Sequence, residues 1–211
     1  GSRYYFERNI SKCSIFEMWQ AADWLAHRQQ LLLERPELGS HMTHLRQYSL
    51  AAGLRHFGVN EDEIEAGVTA AFNHFMTFRN AIEVPKSVHQ ALRHLADAYP
   101  VLAVSNGNVD VAEIGLAPYF VGVFQPTAER RGKPYLDLFL AAQQALPTVA
   151  PAAWLHVGDS PQADILGAHR AGWQSAWFTG GLGRPEQLQV LPTLAYDELE
   201  QLVAYLLAAR G

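Results

Sequence analysis

The spacing of apolar residues along the chain changes near Val84 and Pro85. Before that point, apolar residues recur at the three- and four-residue intervals of helices, and residues 19–79 predict helices without a convincing strand. After it, short apolar runs alternate with helical patterns. Short apolar strands separated by helices predict a parallel sheet covered on both faces. The pattern therefore predicts a helical segment followed by an α/β domain.

Two of the predicted strands end in loops rich in polar side chains. The run VLAVS leads into Ser105 and Asn106, and the run AAWLHVG leads into Asp159, with Asp164 at the start of the next helix. Ligands of parallel α/β sheets bind beyond the carboxyl ends of the strands. We therefore expect the functional side chains to lie in these two loops.

Composition narrows the classes of protein that fit the pattern. The chain has 211 residues, a formal net charge of −5 and a single cysteine, Cys13. This charge disfavours a nucleic-acid partner bound through bulk positive charge, and one cysteine excludes an internal disulfide. No run reaches the ~18 apolar residues of a membrane span, and the first residues lack the apolar core of a signal peptide. We expect a cytoplasmic protein that binds neither membranes nor nucleic acids.

Asp159 and Asp164 place two carboxylates five residues apart, one at a strand end and one at a helix start. Such a pair suits Mg²⁺, which takes one or two protein carboxylates and fills its other positions with water and substrate phosphate. The alternative is structural: Asp159 turns the chain, while Asp164 sits in the first turn of its helix. The two readings are evenly balanced when these residues are taken alone.

Ser105, Asn106 and Lys133 are candidates for binding an anion. A hydroxyl, an amide and flexible backbone N–H groups after a strand suit phosphoryl oxygens, although Ser-Asn-Gly also forms ordinary turns. Lys133 precedes a proline and a helix, where its ammonium can neutralise phosphate and the surrounding carboxylates. A solvated basic turn is the alternative for this segment.

These three loops, in this order, resemble the motifs of the haloacid dehalogenase-like (HAD) hydrolase superfamily. VLAVSNGN is similar to the second motif, Lys133-Pro134 to the third, and HVGDSPQADILGAHRAG to the fourth. The resemblance is detailed over residues 84–180, and IEVPKSVHQALRHLADAYPVLAVSNGN looks most like bacterial phosphatases. Those phosphatases act on flavin mononucleotide and on the phosphorylated ribitylaminouracil of riboflavin synthesis.

The resemblance implies a domain plan and a set of roles. It implies an atypical N-terminal segment over residues 1–18, a helical C1-type cap over 19–82 and a Rossmann-like α/β core over 83–211. The implied reaction is hydrolysis of a small phosphorylated metabolite through an aspartyl-phosphate, with Mg²⁺ as cofactor.

Five residues take roles from the family by position. Ser105 would bond the phosphoryl group with help from Asn106, and Lys133 would hold nucleophile and phosphate in register. Asp159 would ligate Mg²⁺, and Asp164 would ligate it or orient its waters.

The family's first motif, Asp-x-Asp-x-Thr, is missing from this sequence. The nearest substitutes are Glu17 at the nucleophile position and Trp19 at the acid/base position. Glu is one methylene longer, and a misplacement of about an ångström can cost ~10²-fold in rate. Trp cannot transfer a proton. Either ISKCSIFEM replaces the family's mid-sheet first strand, or a partner chain fills the gap or the sheet is rearranged, so a swapped homodimer is one hypothesis.

We expect several other histidine and aromatic residues to have structural rather than functional roles. His41 and His44 have helical ligand spacing but no third ligand, so we expect surface residues rather than a metal site. We expect His156 to be a packed strand residue, and the aromatic run over 72–79 to be a packed face rather than a platform for a flat ring.

Three functions remain in competition. They are a phosphatase lineage whose nucleophile strand is lost from this chain, a phosphate- or ligand-binding protein without turnover, and a structural or interaction role.

Overall fold

The computed structural model describes residues 21–209, which form two compact units with their boundary between Ile82 and Glu83. We call them the helical unit and the α/β unit. Within residues 21–209, no helix combines the length and apolar character that crossing a membrane requires.

The described part of the helical unit contains three α-helices and one 3₁₀ helix. They are α1 (Ala21–Glu34), the 3₁₀ helix (Pro36–Ser40), α2 (Met42–His56) and α3 (Glu61–Asn80). The helix α2 ends before Gly58, whose φ of 73° suits the left-handed conformation that closes many helices. A Cβ at Gly67 of α3 would lie 2.9 Å from the Leu54 side chain of α2, so this glycine allows the two helices to approach closely.

The α/β unit alternates helices with short strands. In chain order its helices and strands are α4 (Lys86–Ala98), β1 (Leu102–Val104), β2 (Gly122–Phe124), α5 (Asp137–Ala145), β3 (Leu155–Gly158), a π-helix (Pro161–Leu166), α6 (Gly167–Arg170), β4 (Gln174–Phe178), β5 (Leu194–Tyr196) and α7 (Leu199–Ala208), with 3₁₀ turns at Ala117–Tyr119, Pro151–Ala153 and Pro185–Gln187.

All strand pairs among the described residues are parallel. β1 pairs with β2, while β3, β4 and β5 form a second sheet in that order. The predicted α/β class with parallel strands is confirmed. The strand β5, Leu194–Tyr196, was not predicted from the sequence.

One hydrophobic core lies against both sheets. Phe139 and Ala142 of α5 are fully buried, and they cluster with Trp154 and Trp173. The β1 side chains Leu102 and Val104 and the β2 side chain Phe124 pack against the same cluster, which ties the two sheets to one helix. Since parallel strands under one helix end on the same side, the loops that follow them share one edge.

The strands β1 and β3 each have one edge without a strand partner among residues 21–209. On β1, the Ser105 N–H bonds to Phe124 O, and the Val101 carbonyl accepts from the Val121 N–H. The backbone N–H and C=O groups of odd-numbered residues therefore point toward β2, and those of Leu102 and Val104 point to the open edge. Unpaired strand edges are costly unless other groups bond to them.

Candidate functional site

Lys133 links the end of β1 to the π-helix that follows β3. Its Nζ donates hydrogen bonds to the Val104 carbonyl at 2.6 Å and to Asp164 Oδ1 at 2.7 Å. Only 8% of the Lys133 side chain and 6% of the Asp164 side chain are exposed, so this ion pair is buried. The structure therefore brings together residues that lie far apart in the sequence.

Asn106 holds the backbone of Lys133 with both atoms of its amide. Its Nδ2 donates to the Lys133 carbonyl at 2.7 Å, and its Oδ1 accepts from the Lys133 N–H at 2.6 Å. The following Lys133–Pro134 peptide bond is cis. Because both polar atoms of the Asn106 side chain are used in this way, this side chain acts by positioning Lys133.

Asp164 is the centre of a buried hydrogen-bond network. Its Oδ1 accepts from Lys133 and from His156 Nε2 at 2.9 Å, and its Oδ2 accepts from the Ser160 N–H at 2.9 Å. Burial alone would raise the pKa of Asp164, but the His156 hydrogen bond and the Lys133 charge outweigh it and hold the pKa well below its usual range. The carboxylate is therefore ionised and fully engaged within the protein.

His156 belongs to this network and was not among the predicted site residues. It lies in β3, is buried, and packs edge-on against Phe139 at 5.1 Å between ring centroids. Burial lowers the pKa of His156, and the charge of Lys133 lowers it further. The lowered pKa favours the neutral imidazole at pH 7, and a hydrogen bond from Nε2 to the Asp164 carboxylate requires the tautomer protonated at Nε2. The strand pattern indicated packing for His156, but it carries no sign of a partner eight residues later.

Asp159 has weaker internal bonding than Asp164. Its Oδ2 accepts from the Leu182 N–H at 3.4 Å, and its backbone carbonyl accepts from Trp177 Nε1 at 3.1 Å. A Cβ at Gly181 would lie 2.5 Å from Asp159 Oδ2, so glycine leaves the space that this carboxylate occupies. No described Lys, Arg or His forms an ion pair with Asp159, which leaves its charge available to an external cation.

Tyr196, in the unpredicted strand β5, is the second residue that the sequence did not indicate. Burial and then the negative charges of Asp159 and Asp164 raise its pKa to about 12. The phenol is therefore protonated at neutral pH. The hydrogen bond from the Ser160 N–H to Asp164 Oδ2 places the Asp164 carboxylate beside the residue that follows Asp159.

Ser105 lies immediately after β1 and is partly buried. Its Oγ accepts a hydrogen bond from the Gly107 N–H at 3.0 Å, and its own N–H donates to Phe124 O. No acceptor among residues 21–209 takes the hydroxyl hydrogen, which can serve an external anion.

The oxygen ligands in these loops fit a Mg²⁺ ion that is held by a single protein carboxylate. The described residues contain no group of three His, Cys, Asp or Glu side chains placed to hold a metal. Mg²⁺ needs only one or two protein carboxylates when water and phosphate complete its octahedron. Asp159 supplies such a carboxylate, whereas both oxygens of Asp164 already accept hydrogen bonds from the protein.

The remaining sequence candidates are Glu17, Trp19, His41 and His44. Glu17, Trp19 and the whole predicted segment 1–18 lie outside the described residues. The rings of His41 and His44 stack at 5.4 Å with 28° between their planes. Neither belongs to a metal-binding group among residues 21–209.

Comparison with known proteins gives consistent matches. A family model described as HAD-hydrolase-like matches residues 130–202. The 5-amino-6-(5-phospho-D-ribitylamino)uracil phosphatase of Escherichia coli (strain K12) is 32% identical over 189 residues, covering 88% of this chain and 79% of that protein.

Two solved structures extend the comparison to the fold. A 2-haloacid dehalogenase from Pseudomonas syringae pv. Tomato DC3000 has 30% identity and a TM-score of 0.78, covering 92% of this chain and 83% of that chain. A putative HAD-hydrolase from Bacillus subtilis, solved bound to magnesium, has 19% identity and a TM-score of 0.65, covering 93% of this chain and 89% of that chain. The second likeness shows the fold alone.

Proposed function

Because this chain belongs to the haloacid dehalogenase-like hydrolases, we propose that its α/β unit binds small phosphorylated metabolites around Lys133, at the carboxyl ends of its strands. The proposed site is that of a Mg²⁺-dependent phosphatase whose turnover in this chain is impaired. The observation that carries the proposal is the buried ammonium of Lys133, held between Val104 O and Asp164.

The ammonium of Lys133 is suited to a phosphoryl oxygen. It has three hydrogens, and Val104 O and Asp164 Oδ1 accept two of them. His156 Nε2 lies 3.3 Å from Lys133 Nζ and 2.9 Å from Asp164 Oδ1, and the tautomer that donates from Nε2 to the carboxylate accepts no hydrogen from Lys133. The third hydrogen of Lys133 is then available to substrate. A positive charge that is already ordered and desolvated binds an oxyanion more strongly than a solvated lysine does.

Of the other residues, some would contact the phosphate or Mg²⁺, and others hold Lys133 in position. Ser105 would donate its hydroxyl hydrogen to the phosphoryl group, and Asp159 would hold Mg²⁺, which neutralises charge between carboxylate and phosphate when bound. Asn106 and Asp164 support Lys133 from its backbone and from its ammonium.

We infer impaired turnover from the sequence and not from the residues around Lys133. No two aspartates in the chain are separated by a single residue, so no Asp-x-Asp pair is present. The aspartyl-phosphate forms when the first aspartate of that motif attacks the phosphoryl group. Without this aspartate, the intermediate does not form at that position. The proposed phosphate contacts of Lys133 and Ser105 involve neither motif residue.

The proposed substrate class is a phosphate monoester of a ribityl compound, such as a riboflavin precursor or flavin mononucleotide. Its support is the relative of 32% identity, whose name gives 5-amino-6-(5-phospho-D-ribitylamino)uracil as substrate. The second candidate function is a ligand-binding protein that has lost hydrolysis altogether. The missing Asp-x-Asp pair favours this candidate.

Calorimetric titration with inorganic phosphate, with and without Mg²⁺, tests the proposal. We expect saturable phosphate binding that Mg²⁺ strengthens. Replacing Asp159 with Asn should weaken the Mg²⁺-dependent binding roughly tenfold or more, equivalent to ~1.4 kcal/mol. The exposed Asp197, replaced in the same way, serves as the matched control and should leave binding unchanged.

Hydrolysis of p-nitrophenyl phosphate separates the two candidate functions. Slow Mg²⁺-dependent turnover supports an impaired phosphatase, and binding without any turnover supports the ligand-binding protein. Turnover near the ~10 s⁻¹ of ordinary enzymes would contradict the proposed impairment. Absence of both heat and turnover would reject the phosphate site itself.

A further inference from the structure

The helical unit contains three arginines that have no carboxylate partner among residues 21–209. They are Arg28 on α1, Arg46 on α2 and Arg79 on α3. We propose that these three guanidinium groups form a binding site for the oxyanion group of a small organic anion.

Contacts place Arg28 and Arg46 against α2 and α3, and helical spacing puts Arg79 on the same face of α3 as Phe75. The Arg28 Nη2 lies 3.5 Å from Met42 Sδ, and the Arg46 guanidinium lies over the Phe75 ring, 3.7 Å from its centroid. Met42 and Arg46 are four residues apart on α2, and Phe75 and Arg79 are four apart on α3. Residues at this spacing are neighbours on one helix face. The set runs from α1 across α2 to α3.

Electrostatic interaction among these arginines is repulsive. Partial burial lowers the pKa of Arg46, and the charges of Arg28 and Arg79 lower it further. Three other described arginines have the opposite environment. Arg35, Arg55 and Arg131 form ion pairs with Glu37, Glu61 and Asp137. The proposed site therefore concentrates positive charge that the described chain itself leaves uncompensated.

The chemistry of these side chains selects an oxyanion. A guanidinium carries five N–H donors in a plane, arranged to bind carboxylate or phosphate oxygens in pairs. The partners of Arg28 and Arg46 are a thioether, which is a weak acceptor, and an aromatic face, which accepts no in-plane N–H. The Arg46 Cζ lies 3.7 Å from the centre of the Phe75 ring, and no carboxylate among residues 21–209 pairs with its N–H donors. A bound anion would satisfy these donors and relieve the repulsion.

This inference does not rest on the proposed function. The arginines belong to the helical unit, and the Lys133 site belongs to the α/β unit. Phosphate binding at one is measurable without phosphate binding at the other, provided that the readout resolves individual side chains.

Side-chain NMR of the ¹⁵N-labelled full chain provides that readout. The Nε–Hε signals are assigned by single arginine substitutions and followed during titration with inorganic phosphate, and separately with succinate. We expect saturable shifts of the Arg28, Arg46 and Arg79 signals with one common dissociation constant. The signal of Arg55, already paired with Glu61, should not saturate with them.

Variants test whether the arginines act together. Arg46→Gln should weaken the response of Arg28 and Arg79 roughly tenfold, equivalent to ~1.4 kcal/mol. Arg55→Gln in the same unit is the control and should leave these responses unchanged. If Arg46→Gln does not fold, Arg79→Gln replaces it, because Arg79 is exposed and its loss removes no buried contact.

Each outcome decides the proposal. Saturation by phosphate alone assigns a phosphoryl group as the ligand chemistry, and saturation by both anions assigns a general oxyanion site. Shifts no larger than those produced by sodium chloride at equal ionic strength would mean screening only and would overturn the proposal. Independent dissociation constants for the three arginines would overturn it as well.

Discussion

Replacing Lys133 with Met should lower the free energy of unfolding by about 3–5 kcal/mol, because it leaves the charge of Asp164 buried without its cation. The substitution also removes the donor to Val104 O on the open edge of β1. Urea unfolding at pH 7 measures the loss. Lys86→Met is the control, since Lys86 is exposed at the start of α4, and it should change stability by less than ~0.5 kcal/mol.

A second variant separates the ion pair from simple packing. Adding Asp164→Asn to Lys133→Met removes the uncompensated charge, so the double variant should be more stable than the sum of the two single losses predicts. Strict additivity of the two losses, or a loss below ~1 kcal/mol for Lys133→Met alone, would show that the buried pair does not organise this edge.

Replacing Gly158 with Ala should destabilise the protein by about 3 kcal/mol, the upper end of overpacking effects. A Cβ at Gly158 would overlap Asp164 Cγ and Oδ2 and would lie 2.6 Å from Asp164 Cβ. Gly158 does not have a positive φ, so this overlap rather than backbone strain is the cause. Because Asp164 is held by Lys133, His156 and Ser160, it cannot move without breaking their hydrogen bonds.

The control for this prediction is Gly39→Ala in the helical unit. Its nearest neighbour would be Leu32 Cδ2 at 3.7 Å, which is ordinary van der Waals contact. Urea unfolding of both variants gives the comparison. Equal stability of Gly158→Ala and Gly39→Ala would mean that Asp164 is not fixed against Gly158 as described.

The family and the fold class were predictable from the sequence, and the comparisons confirm both. The pattern predicts helices over residues 19–79, and α3 is observed there as Glu61–Asn80, because twenty residues give the 3.6-residue pattern room to repeat. Asp164 was expected at the start of the helix after β3, and the structure divides this stretch between the π-helix Pro161–Leu166 and α6. The N–H groups of Asp164 and Ile165 both bond to Ser160 O there. A periodic pattern does not distinguish these helix types.

The sequence indicates a place for the candidate site but not the hydrogen-bond network found there. The rule that ligands bind at carboxyl ends of strands was enough to single out Ser105, Asp159 and Asp164. It does not specify partners. That Asn106 holds the backbone of Lys133, and that His156 bonds to Asp164, depends on side-chain directions that only tertiary packing sets.

The hypothesis of a swapped homodimer stays a prediction. Its physical basis is the pair of strand edges on β1 and β3 that lack strand partners among residues 21–209. The segment 1–18, with Glu17, lies outside the described residues.

Diffraction from crystals grown with Mn²⁺ and phosphate tests the central claim most directly, because Mn²⁺ shares the preference of Mg²⁺ for carboxylate and water ligands and is located by its anomalous signal. The proposed function predicts a single ion on the Asp159 carboxylate, with phosphate oxygens in hydrogen-bond contact with Lys133 Nζ and Ser105 Oγ. Phosphate bound away from Lys133, or an ion bound without Asp159, would contradict it.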